Sequence, residues 1–135
     1  MTPFSKSCRC ARILVIEDNP ANLDLMGYLL RCSGHEVLVA IDGSAGLELA
    51  LKEAPGLIIC DIQMPRMTGF EVAVHLKADD RLRHIPLVAI TAFAMVGDRE
   101  RVLAGGFEGY LAKPIDPETF VAQMEAFLLE SSERS

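Results

Sequence analysis

The stretch Leu57-Ile58-Ile59-Cys60-Asp61 is a run of four apolar residues that ends in an acid. Four other short apolar runs end in the same way, in a polar or reactive residue. They are residues 13–16 before Glu17 and Asp18, residues 37–41 before Asp42, residues 86–90 before Thr91, and residues 110–112 before Lys113. Continuously apolar runs of this length are typical of strands that are buried on both faces, as in a parallel sheet.

Helix signals fill the intervals between these runs. The first predicted helix begins at Asn19-Pro20 and ends at Gly34, and the second runs from Asp42 through Ala54. The third covers residues 69–78, the fourth covers about residues 96–104, and the fifth follows a cap at residues 116–118. A strand and a helix therefore alternate five times. This alternation predicts an α/β domain in which five parallel strands form a doubly wound sheet.

Composition excludes several classes of function. The chain has 135 residues, half of them apolar, and a net charge of −6, which predicts one globular domain without a nucleic-acid-binding surface. No apolar run approaches the roughly 18 residues of a membrane helix, and residues 1–11 lack the apolar core of a signal peptide. We therefore expect a cytoplasmic protein without membrane contact. The four cysteines form no Cys-x-x-Cys pair, which argues against zinc-ribbon and thioredoxin-type sites.

The residues that end the apolar runs are expected to meet at one edge of the sheet, because ligands of open parallel sheets bind beyond the carboxyl ends of the strands. Glu17, Asp18 and Asp61 bring three carboxylates to that edge, and Mg²⁺ would relieve their mutual repulsion. Thr91 adds a hydroxyl and Lys113 an ammonium, and both groups can bind a phosphoryl group. Asp61 stands alone at its strand end, so it is the best candidate for a nucleophile that forms an acyl phosphate.

Longer stretches around these residues resemble the receiver domains of response regulators in two-component systems. The similarity is carried by residues 13–19, by residues 60–69 with Asp61 and the run Met64-Pro65, and by residues 90–92 and 109–114. It covers about residues 12–129, and the segment that follows the fourth strand is most similar to single-domain receivers of the cell-division type. The resemblance implies a flavodoxin-like fold with strand order 2-1-3-4-5.

The resemblance also implies a mechanism. A histidine kinase or a histidine phosphotransfer protein would transfer a phosphoryl group to Asp61. Asp18 and Asp61 would bind Mg²⁺ directly, Glu17 would bind it through water, and Gln63 would bind it through its backbone carbonyl. Lys113 would contact the phosphoryl group.

A conformational switch follows from the same resemblance. Thr91 would move toward the phosphoryl group, and Tyr110 would turn inward with it. This change would alter the surface formed by the fourth helix, the fifth strand and the fifth helix, to which a downstream protein binds. The chain is thus expected to be a signalling switch, a monomer or weak dimer, and not an enzyme. In the family the peptide bond that corresponds to Lys113–Pro114 is cis.

Two positions modify the family pattern. Glu17 stands where many receivers have Asp, and its longer side chain is expected to change the water geometry at the metal without abolishing binding. Phe93, two residues after Thr91, is expected to hinder water and to slow the loss of the phosphoryl group. At the ends of the chain, we expect a disordered leader at residues 1–11 and a polar tail at residues 130–135.

Three alternatives remain open on the sequence alone. The chain can be a receiver domain taken from a hybrid histidine kinase. It can be a Mg²⁺-dependent phosphatase with an aspartyl nucleophile, although such enzymes commonly carry a second Asp where this chain has Gln63, which cannot donate a proton. It can be an adaptor that never accepts phosphate, although such adaptors usually lack one of the acids or the lysine, all of which are present here.

Overall fold

The computed structural model describes residues 11–92 and 98–134. Within these ranges the chain alternates between strands and helices, as the sequence predicted. The strands are β1 (Arg12–Ile16), β2 (Glu36–Ala40), β3 (Leu57–Asp61), β4 (Leu87–Thr91) and β5 (Gly109–Ala112). The helices are α1 (Pro20–Cys32), α2 (Gly43–Glu53), α3 (Gly69–Ala78), α4 (Asp98–Ala104) and α5 (Phe120–Arg134). None of the described helices combines the length and apolar character needed to cross a lipid bilayer.

The strands form one parallel sheet in the order β2-β1-β3-β4-β5, which confirms the expected fold. Every residue of β3 and β4 is buried, whereas the two edge strands, β2 and β5, are partly exposed. In the pairing of β1 with β3, Ile16 lies opposite Cys60. The residues that follow these two positions, Glu17 and Asp61, therefore lie side by side at the carboxyl edge of the sheet.

Two apolar clusters cover the two faces of the sheet. On one face, α1 and α5 pack on the strands through side chains such as Met26, Leu30 and Phe120. On the other face, α2, α3 and α4 contribute Ala50, Leu76 and Val102 among others. Burial on both faces explains why the central strands are continuously apolar and do not alternate.

Side chains at the helix starts explain where the helices begin. Asn19 accepts a hydrogen bond from the backbone N–H of Asn22, and Asp42 accepts one from Ala45. Thr68 and Glu71 form a reciprocal capping box at the start of α3. These contacts satisfy N–H groups that have no partner within the helix, and the caps of α1 and α3 also fix the loops after β1 and β3.

Some predicted boundaries shift by one residue or more. Strand β2 begins at Glu36, whose N–H donates to the carbonyl of Ala11, and it ends before Ile41, which is 65% exposed. Strand β4 begins after Pro86, which has no N–H to donate to a ladder. Helix α5 continues to Arg134, so residues 130–134 extend the helix that we expected to end in a polar tail, because no Gly or Pro interrupts them.

Several predictions concern residues that the structure does not describe. Three of these lie outside the described ranges: most of the expected leader (residues 1–10), Phe93, and the expected start of the fourth helix at Val96. Ala11, the last residue of the expected leader, is described, and its backbone N–H donates to Nδ1 of His35. The Lys113–Pro114 bond is cis, as the resemblance implied.

Candidate functional site

Three carboxylates meet at the carboxyl edge of the sheet. Glu17 and Asp18 follow β1, and Asp61 ends β3, the neighbouring strand. One oxygen from each of the three carboxylates lies within 4.8 Å of the other two. Glu17 and Asp61 are buried, whereas Asp18 is exposed. The structure thus brings together the three acids that the sequence pattern singled out.

Lys113 supplies a positive charge to this cluster. It follows β5 and is held in place because its backbone N–H donates to the carbonyl of Thr91, at 2.8 Å. Its ammonium lies 3.1 Å from Oδ2 of Asp61 and 3.2 Å from Oε1 of Glu17. One cation therefore pairs with two buried acids that come from different strands.

Asp61 is oriented by two donors on opposite oxygens. Lys113 donates to Oδ2, and the backbone N–H of Gln63 donates to Oδ1 at 3.2 Å. The loop after Asp61 folds back tightly, because the N–H of Gly69 donates to the carbonyl of Ile62 at 2.9 Å. The carboxylate is consequently fixed at the end of β3 and does not rotate freely.

Glu17 is the electrostatically unusual member of the cluster. Burial raises the pKa of the Glu17 carboxyl to about 7. A hydrogen bond from the N–H of Asn19 lowers this pKa, and the nearby charge of Asp61 raises it. At Lys113, burial alone would lower the pKa, but the hydrogen bond to Asp61 and the charges of Asp61 and Glu17 raise it above its usual value. The lysine therefore remains charged, while the carboxylate cluster carries more negative charge than one ammonium can balance.

The donor set fits a hard divalent cation. Mg²⁺ prefers oxygen ligands and is commonly held by one or two carboxylates together with water and phosphate oxygens. Lys113 forms its hydrogen bond to Glu17 with Oε2, while Oε1 lies 3.2 Å from the same ammonium but accepts no hydrogen bond in the part of the chain that the structure describes. A buried carboxylate oxygen with no hydrogen bond is under-satisfied, and a cation or its bound water at this point would give it a second partner.

Thr91 and Tyr110 lie next to the cluster but not within it. Thr91 ends β4 and is buried, one position beyond Ile90, which pairs with Asp61 across the two strands. Tyr110 pairs with Ala89 in β4 and is partly buried against the apolar core under α2, α3 and α4. Thr91 therefore ends the strand next to β3, and Tyr110 lies on β5, the strand that leads to Lys113.

Sequence reasoning missed two backbone contributions to this site. The N–H of Asn19 donates to Oε2 of Glu17. The two residues are only two positions apart, in the segment that follows β1. A Cβ atom on Gly69 would lie 2.6 Å from the carbonyl oxygen of Asp61. The position of this glycine in the loop after Asp61 was a signal, but the sequence pattern did not indicate such a close backbone contact.

Comparison with known families agrees with this geometry. The pattern of the family described as response regulator receiver domains matches residues 13–125. Among curated proteins, the chain is 44% identical over 116 residues to the polar-differentiation response regulator DivK of Brucella anthropi, a match that covers 86% of this chain and 94% of that protein. It is 43% identical over 116 residues, with the same coverage, to DivK of Brucella ovis.

Solved structures show the same fold. The receiver domain of the sensor histidine kinase PA1611 from Pseudomonas aeruginosa, which has a magnesium ion coordinated in its active site cleft, is 30% identical with a TM-score of 0.81, over 88% of this chain and 98% of that one. The chemotaxis response regulator CheY4 of Vibrio cholerae is 29% identical with a TM-score of 0.77, over 93% and 98% of the two chains. The chain belongs to the response regulator receiver domains of two-component signalling and is DivK-like in sequence.

Proposed function

We propose that this receiver domain is a phosphoacceptor in which Asp61 takes a phosphoryl group and thereby changes the proteins that the domain binds. One observation carries the proposal: the buried Asp61 carboxylate is held between the ammonium of Lys113 and the N–H of Gln63, beside two further acids. A lone buried acid pair would be only a packing feature. A nucleophile that is oriented by two donors and lies next to a cation site is suited to phosphoryl transfer.

In the proposed reaction, a carboxylate oxygen of Asp61 attacks the phosphorus of a phosphorylated donor. A new oxygen–phosphorus bond forms, and the bond between phosphorus and the donor's imidazole nitrogen breaks. The imidazole keeps the electron pair of the broken bond, and the product is an acyl phosphate on Asp61. Lys113 is positioned to neutralise an oxygen of the incoming group, since its ammonium is 3.1 Å from Asp61. The hydroxyl of Thr91 then binds the phosphoryl group in the switched state.

Mg²⁺ would be held by Asp18, Asp61, Glu17 and the backbone carbonyl of Gln63. When bound, the cation would neutralise negative charge on the phosphoryl oxygens during transfer. The cluster of three acids and the under-satisfied Oε1 of Glu17 support this assignment. Glu17 would contact the cation through a water molecule.

The partners follow from the same proposal. The donor would be a histidine kinase or a histidine phosphotransfer protein, and the receiver would act in the cytoplasm. The downstream protein would bind the face formed by α4, β5 and α5, where Tyr110 reports the state of the site. The DivK proteins named above are response regulators, which supports a role in a signalling pathway of this type.

The proposal is tested by offering the full chain acetyl phosphate with and without Mg²⁺ and measuring its intact mass. The wild type is expected to gain one phosphoryl group only when Mg²⁺ is present. Asp61→Asn is expected to gain none, while Asp80→Asn, an exposed acid in the turn after α3, is expected to behave as the wild type. A wild type that gains no mass, or an Asp61→Asn variant that gains as much, contradicts the proposal. Steady hydrolysis of a simple phosphomonoester would instead support the phosphatase alternative.

A further inference from the structure

A cavity separates α4 from the phosphoacceptor loop. Its volume is about 520 Å³, and it opens beside Thr91 at the end of β4. The residues that line it come from the loop after Asp61, the start of α3, and α4: Ile62, Gln63, Met64, Thr68, Phe70, Arg101 and Val102. The cavity is open to solvent on one side, so the contacts between α3 and α4 decide how wide it is.

Phe70 connects α3 to α4 at this cavity. The guanidinium of Arg101 lies over the Phe70 ring, with Cζ 5.2 Å from the ring centroid. The edge of the same ring meets Phe107, with centroids 6.2 Å apart and planes at 83°. A Cβ atom on Gly105 would approach Cδ1 of Phe70 to 3.2 Å, so the end of α4 fits closely against this ring.

A second set of contacts anchors only the turn that follows α4. The ammonium of Lys77 lies 3.0 Å from Oε2 of Glu108, and Oε1 of Glu108 accepts a hydrogen bond from the N–H of Leu87 at 2.7 Å. These contacts fix the start of β5 to α3 and β4. Arg101 and Val102 of α4 line the cavity together with Thr91, and here the stack of Arg101 on Phe70 joins α4 to α3 beside the buried Val102.

Movement of Thr91 would change this arrangement. When Thr91 moves toward a phosphoryl group on Asp61, the space that it leaves is refilled from the side of β5 and α4. Tyr110 turns inward, and α4 closes toward Thr91 as part of the same change. The stack of Arg101 on Phe70 opposes that movement, because it fixes α4 at its present distance from α3.

We propose that Phe70 and Arg101 are positioning residues whose stack holds α4 outward and so limits how readily Asp61 is phosphorylated. The inference rests on the proposed function, since it names a control on the same site. A cation–π contact at an exposed position corresponds to about a two- to fivefold change in a conformational equilibrium. Loss of the stack therefore raises the population of the inward arrangement, and the rate of phosphorylation with it, by about that factor.

The test uses the full chain with Arg101→Gln, Phe70→Leu and Arg101→Lys. Arg83→Gln is the matched control, because Arg83 is an exposed arginine whose side chain pairs with Asp80 away from the cavity. The two measurements are the rate of phosphorylation by acetyl phosphate with Mg²⁺ and the hydrogen exchange of the α4 amides without a phosphodonor. Arg101→Gln and Phe70→Leu are expected to be phosphorylated about two- to fivefold faster and to exchange faster in α4. Arg101→Lys, which keeps a cation over the ring, is expected to stay near the wild type.

The outcomes separate this inference from the proposed function. If Arg101→Gln matches Arg83→Gln in both measurements, or is phosphorylated more slowly than the control, the positioning role is wrong. If Arg101→Lys behaves like Arg101→Gln, the ring contact is not the cause and the assignment is also wrong. If the wild type takes no phosphoryl group at all, the proposed function fails. The hydrogen-exchange measurement then still tests the further inference: equal exchange of the α4 amides in Arg101→Gln and in Arg83→Gln would show that the stack does not restrain α4.

Discussion

The ammonium of Lys113 lies 3.1 Å from Oδ2 of Asp61, a residue 52 positions earlier in the chain, and 3.2 Å from Oε1 of Glu17. Both carboxylates are buried, with Asp61 3% exposed and Glu17 fully enclosed. The arrangement joins the ends of β1, β3 and β5 through one side chain. It also leaves the site with an excess of negative charge that a metal ion can balance.

Replacing Lys113 by Met is expected to destabilise the fold in the absence of Mg²⁺. The variant leaves two buried carboxylates without their cation, which costs about 2–3 kcal/mol in the free energy of unfolding. Urea unfolding measures this difference, and Mg²⁺ should reduce it because the cation replaces the missing charge. Lys52→Met, at an exposed position in α2, serves as the control and should change stability by less than about 0.5 kcal/mol. Equal effects of the two variants would show that the ion pairs of Lys113 contribute nothing.

Stability is expected to fall as the pH rises from about 4.5 to about 7. The pKa of Glu17 is raised from its ordinary value of 4.5 to about 7 in the folded state, chiefly by burial. The folded protein therefore keeps a proton that the unfolded chain has already released, so the contribution of this proton is complete below pH 4.5 and is lost by pH 7. Its size is on the order of 3 kcal/mol. Lys113, whose pKa is raised from 10.5, changes stability only at alkaline pH and does not contribute to this window.

The comparison that isolates Glu17 is the difference between the wild type and Glu17→Gln in chemical unfolding at a series of pH values without Mg²⁺. The wild type should lose stability relative to the variant across the window. A constant difference between the two curves from pH 4.5 to 7 would mean that Glu17 titrates with an ordinary pKa in the fold.

Asp18→Asn is expected to weaken Mg²⁺ binding with little effect on the fold. Asp18 is exposed, so the stability of the protein should change by less than about 0.5 kcal/mol. Its carboxylate is one of the three that converge within 4.8 Å, and its loss should lower the Mg²⁺ affinity by more than about tenfold. Isothermal titration calorimetry checks both this variant and Asp80→Asn, which should bind as the wild type does. Unchanged affinity in Asp18→Asn would remove Asp18 from the set of ligands.

Gly69→Ala is expected to disturb the loop after Asp61. The added methyl group would lie 2.6 Å from the carbonyl oxygen of Asp61 and 2.8 Å from Cα of Ile62, and backbone cannot move aside as a flexible side chain can. We expect a loss of about 1–3 kcal/mol in the free energy of unfolding. At Gly56 the nearest atoms to an added methyl group are 3.8 Å away, so Gly56→Ala is the matched control. Similar stability of the two variants would show that the loop accommodates a side chain at Gly69.

The sequence predicted the sheet and the clustering of the acids because both depend on local patterns. Apolar runs as short as residues 57–60 are recognisable as buried strands, and parallel strands bring their carboxyl ends to one edge. Asp61 and Glu17 were thus identified from their positions after the strands. The pairing of Lys113 with both acids depends on how far β5 lies from β1 across the sheet, and residue spacing alone does not contain that distance.

The sequence pattern did not predict contacts between elements that are distant along the chain. Phe70 and Arg101 are separated along the chain, and neither stands at a strand end, so nothing marked their stacking. The sequence pattern did not predict the extension of α5 to Arg134, because residues 130–134 are polar and carry no apolar face that marks a helix. In each case the outcome depends on packing or on the absence of a helix-stopping residue, and hydrophobic periodicity reports neither.

The most direct test of the central claim identifies the atom that carries the phosphoryl group. Wild-type protein is treated with acetyl phosphate and Mg²⁺ and then with borohydride, which reduces an aspartyl phosphate to homoserine, and the digested peptides are sequenced by mass spectrometry. We predict homoserine at position 61 in the wild type and at no position in Asp61→Asn. Homoserine at another acid such as Asp18, or its absence from the treated wild type, would contradict the account.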